Sequence, residues 1–150
     1  MTIHRFSFPT AIHFGAGAAA TVGPHLTELG KRRPLVVTDR ALARLPVATG
    51  FVAALKAAGL DVAVYDGVHG NPTAAQANAG GAAFRAHAAD CVVGLGGGAA
   101  LDVAKIVGVL GTHDGDALEF AWDQPSVRAI GDDLPYFVAL PTTAGTGSEV

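Results

Sequence analysis

Cysteine is almost absent from this 150-residue chain: Cys91 stands alone, which rules out an intrachain disulfide and, with no CxxC pair, a cysteine-based zinc site. A reducing compartment is the expectation. No apolar run approaches the ~20 residues of a membrane span, and the opening MTIHRFSFPT has no apolar core of a signal peptide. The cytoplasm is therefore expected, with no membrane partner. An excess of charge is lacking as well, since a net −3 leaves no basic footprint for nucleic acid. Several catalytic signatures are also missing. There is no G-x-x-x-x-G-K-[ST] loop, Ser148 does not sit in a G-x-S-x-G elbow, and the six histidines show neither i,i+4 pairing nor an acid in metal-ligand spacing.

What is present is apolar and small. Hydrophobic residues make up 50% of the chain and glycines number 20, with aromatics at only 7%, a composition suited to a closely packed α/β domain. A chain of this length buries roughly two-thirds of its unfolded surface, so it needs no disulfide or metal staple.

The start, RFSFPTAIHFG, alternates as a short half-exposed hairpin does, with Pro9 confining it to an edge. Val22, Leu26 and Leu29 keep helical spacing, with Gly23-Pro24 as the start and Gly30 as the stop. PLVVTD (34–39) reads as a strand buried on both faces, and Phe51, Val52, Leu55 and Ala58 as the inner face of a helix closed by Gly59. LDVAVYD (60–66) is the next expected strand. Thr73 and Gln76 have capping-box spacing, so a helix is expected over about 73–88, weakened by Gly80 and Gly81 at about 1 kcal/mol each. CVVGL (91–95) reads as a buried strand, 99–110 as the following helix, EFAW as one helical turn, and YFVALP (136–141) as a last strand. Strands alternating with helices imply a Rossmann-like, doubly wound, mainly parallel sheet, whose ligands collect at the carboxyl ends of the strands.

Two glycine stretches compete for a phosphate. GAGAAA (15–20) matches G-x-G-x-x-A, and Asp39 follows about 20 residues on at a strand end, as a dinucleotide fingerprint requires. Its upstream strand, however, is short, carries His13 and follows a proline. GLGGGAALDVAK (94–105) instead joins a buried strand to an amphipathic helix, the setting in which free amides and the helix dipole hold an anion. A plain turn explains two of Gly96, Gly97 and Gly98 but makes the third superfluous. Asp39 reads either as a ribose ligand favouring NAD over NADP or as the cap of the next turn, and the adjacent Arg40 blurs that preference. Asp102 and Lys105 read equally as a surface pair and as groups beside a ligand. PTTAGTGSEV (141–150) is richer in hydroxyls and free amides than a turn requires.

FGAGA, LVVTD, GNPT (70–73), GLGGGAALDVAK and PTTAGTGSEV occur in an order that resembles the N-terminal part of the iron-containing (group III) alcohol dehydrogenase family. The resemblance implies a nucleotide-binding domain over 1–150, followed in the family by a helical domain that holds Fe2+ or Zn2+, with NAD or NADP in the cleft between them. It implies that Asp39 meets the adenosine ribose and that Asn71 lines the cofactor site. Gly96, Gly97, Gly98 and Ala99 would hold the pyrophosphate, and Asp102, Thr142, Thr143 and Thr146 would border the cofactor. FGAGA becomes a structural turn. Ala99 departs from the family's usual serine, which removes one hydroxyl. The family's metal ligands, one aspartate and three histidines, lie beyond residue 150, so the chain is expected to be an N-terminal portion, inactive alone, with no catalytic or metal residue of its own. The implied activity is hydride transfer between a small alcohol or aldehyde and nicotinamide, in a homo-oligomer when full length. Alternative readings are an NAD-using enzyme similar to dehydroquinate synthases and a stand-alone nucleotide-binding module.

Overall fold

PLVVTD and CVVGLG form the two central strands of the computed structural model, which describes residues 10–150. These are β1 (Pro34–Asp39) and β3 (Cys91–Gly96); all six residues of β3 and five of six in β1 are buried, as strands covered on both faces must be. β2 (Ala63–Val68) and β4 (Tyr136–Pro141) flank them in the order β2-β1-β3-β4, every pair parallel. Side chains on the edge strands are correspondingly less buried.

Because successive side chains on a strand point to opposite faces, β1 and β3 feed two cores. Val36, Cys91, Val93 and Leu95 pack with Leu26 of α1 (Val22–Glu28) and with Phe51 and Leu55 of α2 (Pro46–Ala57). Leu35, Val37 and Val92 face Phe84 of α3 (Ala74–His87) and Val103, Ala104 and Val107 of α4 (Gly98–Thr112). Helices thus cover both faces of a parallel sheet, the doubly wound arrangement expected from the sequence.

Several boundaries move for local reasons. The second strand begins at Ala63, not Leu60, because Leu60 closes α2: Gly59 takes φ 85° and the Leu60 amide donates to the Leu55 carbonyl at 3.3 Å. That is a Schellman closure, in which the apolar residue after the glycine belongs to the helix end. The single turn expected at EFAW lies at Ala117–Phe120, because Asp116 caps it and Glu119 completes the capping box. Thr73 caps α3 by accepting from the Gln76 amide at 3.3 Å, but the reciprocal half of the expected box is absent. The Gln76 side chain donates instead to the His69 carbonyl at 2.8 Å and pins the loop between β2 and α3.

Gly80 and Gly81 have a packing reason. A Cβ on Gly80 would overlap Val107, one on Gly81 would lie 2.6 Å from the Leu110 Cβ, and one on Gly111 2.5 Å from the Phe84 ring. These glycines let α3 and α4 approach closely. The expected N-terminal hairpin falls largely on residues outside the described range, and 10–14 carry no strand. Gly15 and Gly17, at φ 151° and 85°, turn the chain into a short 3₁₀ segment, Ala18–Thr21, that leads into α1.

Candidate functional site

After β1 the chain builds β2 on one side, then crosses to place β3 on the other side of β1. That reversal is the switch point of an open parallel sheet, where the loops after neighbouring strands part and leave a crevice. A groove of about 540 Å3 opens there, with Asp39 from the end of β1, Gly70 from the loop after β2, and Gly97 and Ala99 from the start of α4 in its lining.

Each glycine of the triplet has its own geometric reason. Gly96 sits at φ 151°, and a Cβ there would lie 2.7 Å from the Ala100 Cβ. A Cβ on Gly97 would come 3.3 Å from the Thr143 hydroxyl, and one on Gly98 3.1 Å from Ser148 Oγ and 3.2 Å from the Thr146 Cβ. The first glycine makes the turn; the other two let the threonine loop lie against the helix end. The Thr142 amide fastens that loop by donating to the Gly96 carbonyl at 2.9 Å.

Gly97 is the N-cap residue of α4, and no side chain caps the helix. The first-turn amides of a helix have no intrahelical partner, so those of Gly98 and Ala99 are available to an acceptor from outside. Together with the helix dipole they form a place for an anion, near the hydroxyls of Thr143 and Ser148, while Thr146 presents its methyl to Gly98 and donates its hydroxyl to Glu149. Ser148 escaped the sequence reading as a site residue, because only the tertiary approach of the loop to Gly98 brings its hydroxyl here.

Asp39 performs the local role and faces the groove at once. Its Oδ1 accepts from the amides of Ala41 at 3.0 Å and Leu42 at 2.8 Å, capping the 3₁₀ turn Leu42–Arg44, while Oδ2 lies 3.6 Å from a Cβ position on Gly96. Asn71 follows Gly70 in the pinned loop and is exposed. Asp102 is exposed in the second turn of α4, outside the groove lining. The surface pair considered for it does not form: Lys105 Nζ donates to the Val150 carbonyl at 3.0 Å. Thr142 enters through its backbone. FGAGA contributes nothing to the groove lining.

Two displaced titrations, those of Asp90 and Cys91, lie at the opposite end of the strands. Burial, with Asp90 beside it, pushes the Cys91 thiol up to about 12 and leaves it inert. Partial burial works against ionisation of Asp90, but the amides of Arg32 and Arg33, at 2.7 and 3.0 Å, outweigh it and hold the carboxyl below its ordinary value. Among the described residues no three His, Cys, Asp or Glu side chains come together to hold a metal ion. His87 Nε2 instead meets the Asp61 carbonyl, and His113 Nε2 accepts from the Gly131 amide.

Known proteins are similar to this chain in sequence and fold. The chain is 38% identical to the 4-hydroxybutyrate dehydrogenase of Cupriavidus necator over 141 residues, covering 94% of this chain and 36% of that protein. It is 36% identical to the 1,3-propanediol dehydrogenase of Klebsiella pneumoniae, over 100% of this chain and 39% of that one. Its fold superposes with a TM-score of 0.88 on a sulfoacetaldehyde reductase from Bifidobacterium kashiwanohense solved in complex with NAD+, at 27% identity, covering 100% of this chain and 39% of that one. The chain thus spans little more than a third of the length of the curated relatives it matches. The sequence profile of iron-containing alcohol dehydrogenases runs through residues 9–150, and on that match the chain belongs to the iron-containing alcohol dehydrogenase family.

Proposed function

We propose that this chain is the dinucleotide-binding portion of a metal-dependent, NAD(H)-using alcohol dehydrogenase that interconverts a small alcohol and its aldehyde. The observation that carries the reading is the uncapped start of α4, roofed by the threonine loop at the switch point between β1 and β3. Such an end favours a dianionic pyrophosphate through free amides and the helix dipole. The NAD+ bound to the sulfoacetaldehyde reductase relative supports the same ligand here.

In this reading Gly96, Gly97, Gly98 and Ala99 receive the pyrophosphate, with Thr143 and Thr146 closing over it. Asp39 Oδ2 accepts from the adenosine ribose hydroxyls while Oδ1 keeps the underlying turn rigid. Asn71, Asp102 and Thr142 border the coenzyme. Nicotinamide supplies the hydride acceptor, and the protein's part is to hold and orient it. These residues bind and position; none of them is assigned a proton transfer. The described residues offer no ligand set for the divalent metal, Fe2+ or Zn2+, so no step is assigned to it. The alcohol or aldehyde pocket and assembly into a homo-oligomer belong to the complete protein.

Gly98→Val tests the cradle. The added side chain collides with Ser148 and Thr146, and NADH affinity of the complete protein, titrated by coenzyme fluorescence, is expected to fall about tenfold or more, the worth of one lost charge-assisted hydrogen bond. Retained cooperative unfolding shows that the fold survives. An unchanged dissociation constant removes this site.

A further inference from the structure

The loop that brings Gly70 into the groove lining, with Asn71 next to it, is held from two sides. At its start the Arg40 amide donates to the Val68 carbonyl at 3.0 Å, tying the loop to the exit of β1. One residue later the Gln76 side chain, reaching back from α3, donates through Nε2 to the His69 carbonyl at 2.8 Å. Gly70 then turns at φ 61°, a left-handed conformation that glycine adopts without steric cost. Fixing two successive carbonyls sets the direction in which residues 70 and 71 leave the strand.

Gln76 is itself held by a third element. The Tyr65 hydroxyl of β2 donates to the Gln76 carbonyl at 2.7 Å, and the Gln76 amide donates to Thr73 Oγ1 at 3.3 Å. Two glycines make room for Tyr65: a Cβ on Gly67 would overlap the phenol, and one on Gly80 would lie 3.1 Å from its ring. Strand, helix and loop thus meet at one side chain.

Stability alone does not select this residue. Gln76 is 7% exposed, and its Oε1 is buried with no partner among the described residues. An unsatisfied buried oxygen carries a desolvation penalty that an apolar side chain of similar length avoids. His69 lies in an exposed stretch, where water serves a carbonyl as well as an amide does. What the bond to His69 adds is a fixed path for the loop.

We propose that Gln76 is a positioning residue for coenzyme binding: it aims Gly70 and Asn71 at the groove, so that this loop is ordered before the dinucleotide arrives. The inference rests on the dinucleotide reading above and adds to it a buried residue that acts only through the loop.

The test is Gln76→Met in the complete protein, which keeps the side chain's length and removes both polar atoms of its amide. The urea midpoint is expected to equal or exceed that of the wild type. The NADH dissociation constant, titrated by coenzyme fluorescence, is expected to rise about three- to tenfold, because the ligand must then order the loop itself. Stopped flow is expected to show a slow ordering phase that the wild type lacks. Gly111→Ala, which strains α3 at Phe84 and away from the loop, is the control, with a lower midpoint and unchanged NADH affinity. A fall in midpoint and affinity together for Gln76→Met overturns the inference, by making Gln76 an ordinary core residue. An equal loss of affinity in Gly111→Ala overturns it as well. Unchanged affinity and a single fast phase in Gln76→Met remove this inference alone, whereas a wild-type protein that binds no NADH removes the dinucleotide reading and this inference with it.

Discussion

Asp90 shows how one side chain can join distant segments. It precedes β3, yet its two oxygens accept from the amides of Arg32 and Arg33 just before β1, fixing the relative start of the two central strands. Its carboxyl titrates lower in the folded chain than in the unfolded one, so its stabilisation is complete above the unfolded value of about 3.9 and is lost as pH falls through the folded value. Asp90→Asn is expected to cost about 1 kcal/mol near neutral pH, a figure discounted for partial exposure, and to flatten the loss of stability on acidification. Urea denaturation at stepped pH checks this; superimposable profiles for the two proteins would exclude the role. At the same scale, part of the groove lining was legible. Gly96–Gly98 and Asp39 could be chosen because a buried strand pattern precedes each. Ser148 and the failed Asp102–Lys105 pair could not, since each depends on what the fold brings near: Thr146 and Ser148 to Gly98, and the Val150 carbonyl to Lys105.

Among the described residues, apolar period located the four strands of the sheet and the α-helices, and it erred mainly at boundaries. Leu60 looks like strand in a sequence because an apolar Schellman residue and a strand residue are the same letter. The close crossing of α3 and α4 was hidden differently, since propensity counts helical glycine as a defect of about 1 kcal/mol and cannot see a neighbouring helix. The structure reverses that reading at Gly80 and Gly81, and Gly111 faces them across the same crossing in equally close packing. Gly111→Ala gains helix propensity but places a Cβ 2.5 Å from the Phe84 ring, and overpacking of this kind costs about 1 to 3 kcal/mol. A net loss of stability is expected, seen as a lower urea midpoint. A higher midpoint would mean that the crossing relaxes easily and that the glycines serve no packing purpose.

For the molecule as a whole, sheet order matters more than any single contact. Placing β3 beside β1, with β2 on the far side, opens the groove between their carboxyl ends. The sequence indicated a doubly wound sheet but not this strand order, because order is set by the crossing of connections and no local pattern records it. Among the described residues no helix is long and apolar enough to cross a membrane. If the groove holds a dinucleotide, protection from hydrogen exchange in the complete protein is expected to rise on adding NADH at the amides of Gly98 and Ala99 and in the 142–148 loop. The outer end of α3, near His87, should change little. Uniform protection, or protection centred on α3, would move the binding site elsewhere.

The hydrogen bond from Thr142 to the Gly96 carbonyl joins the exits of two adjacent strands, and Lys105 grips the same loop at Val150. The loop is thereby a strap buckled at both ends to a single strand–helix unit. Much of the ordering that a ligand would otherwise have to impose is already present, which removes an entropic cost of association. Coenzyme arrival should then resemble entry into a ready-made slot, with a single fast binding phase in stopped flow and no slow closure step after it.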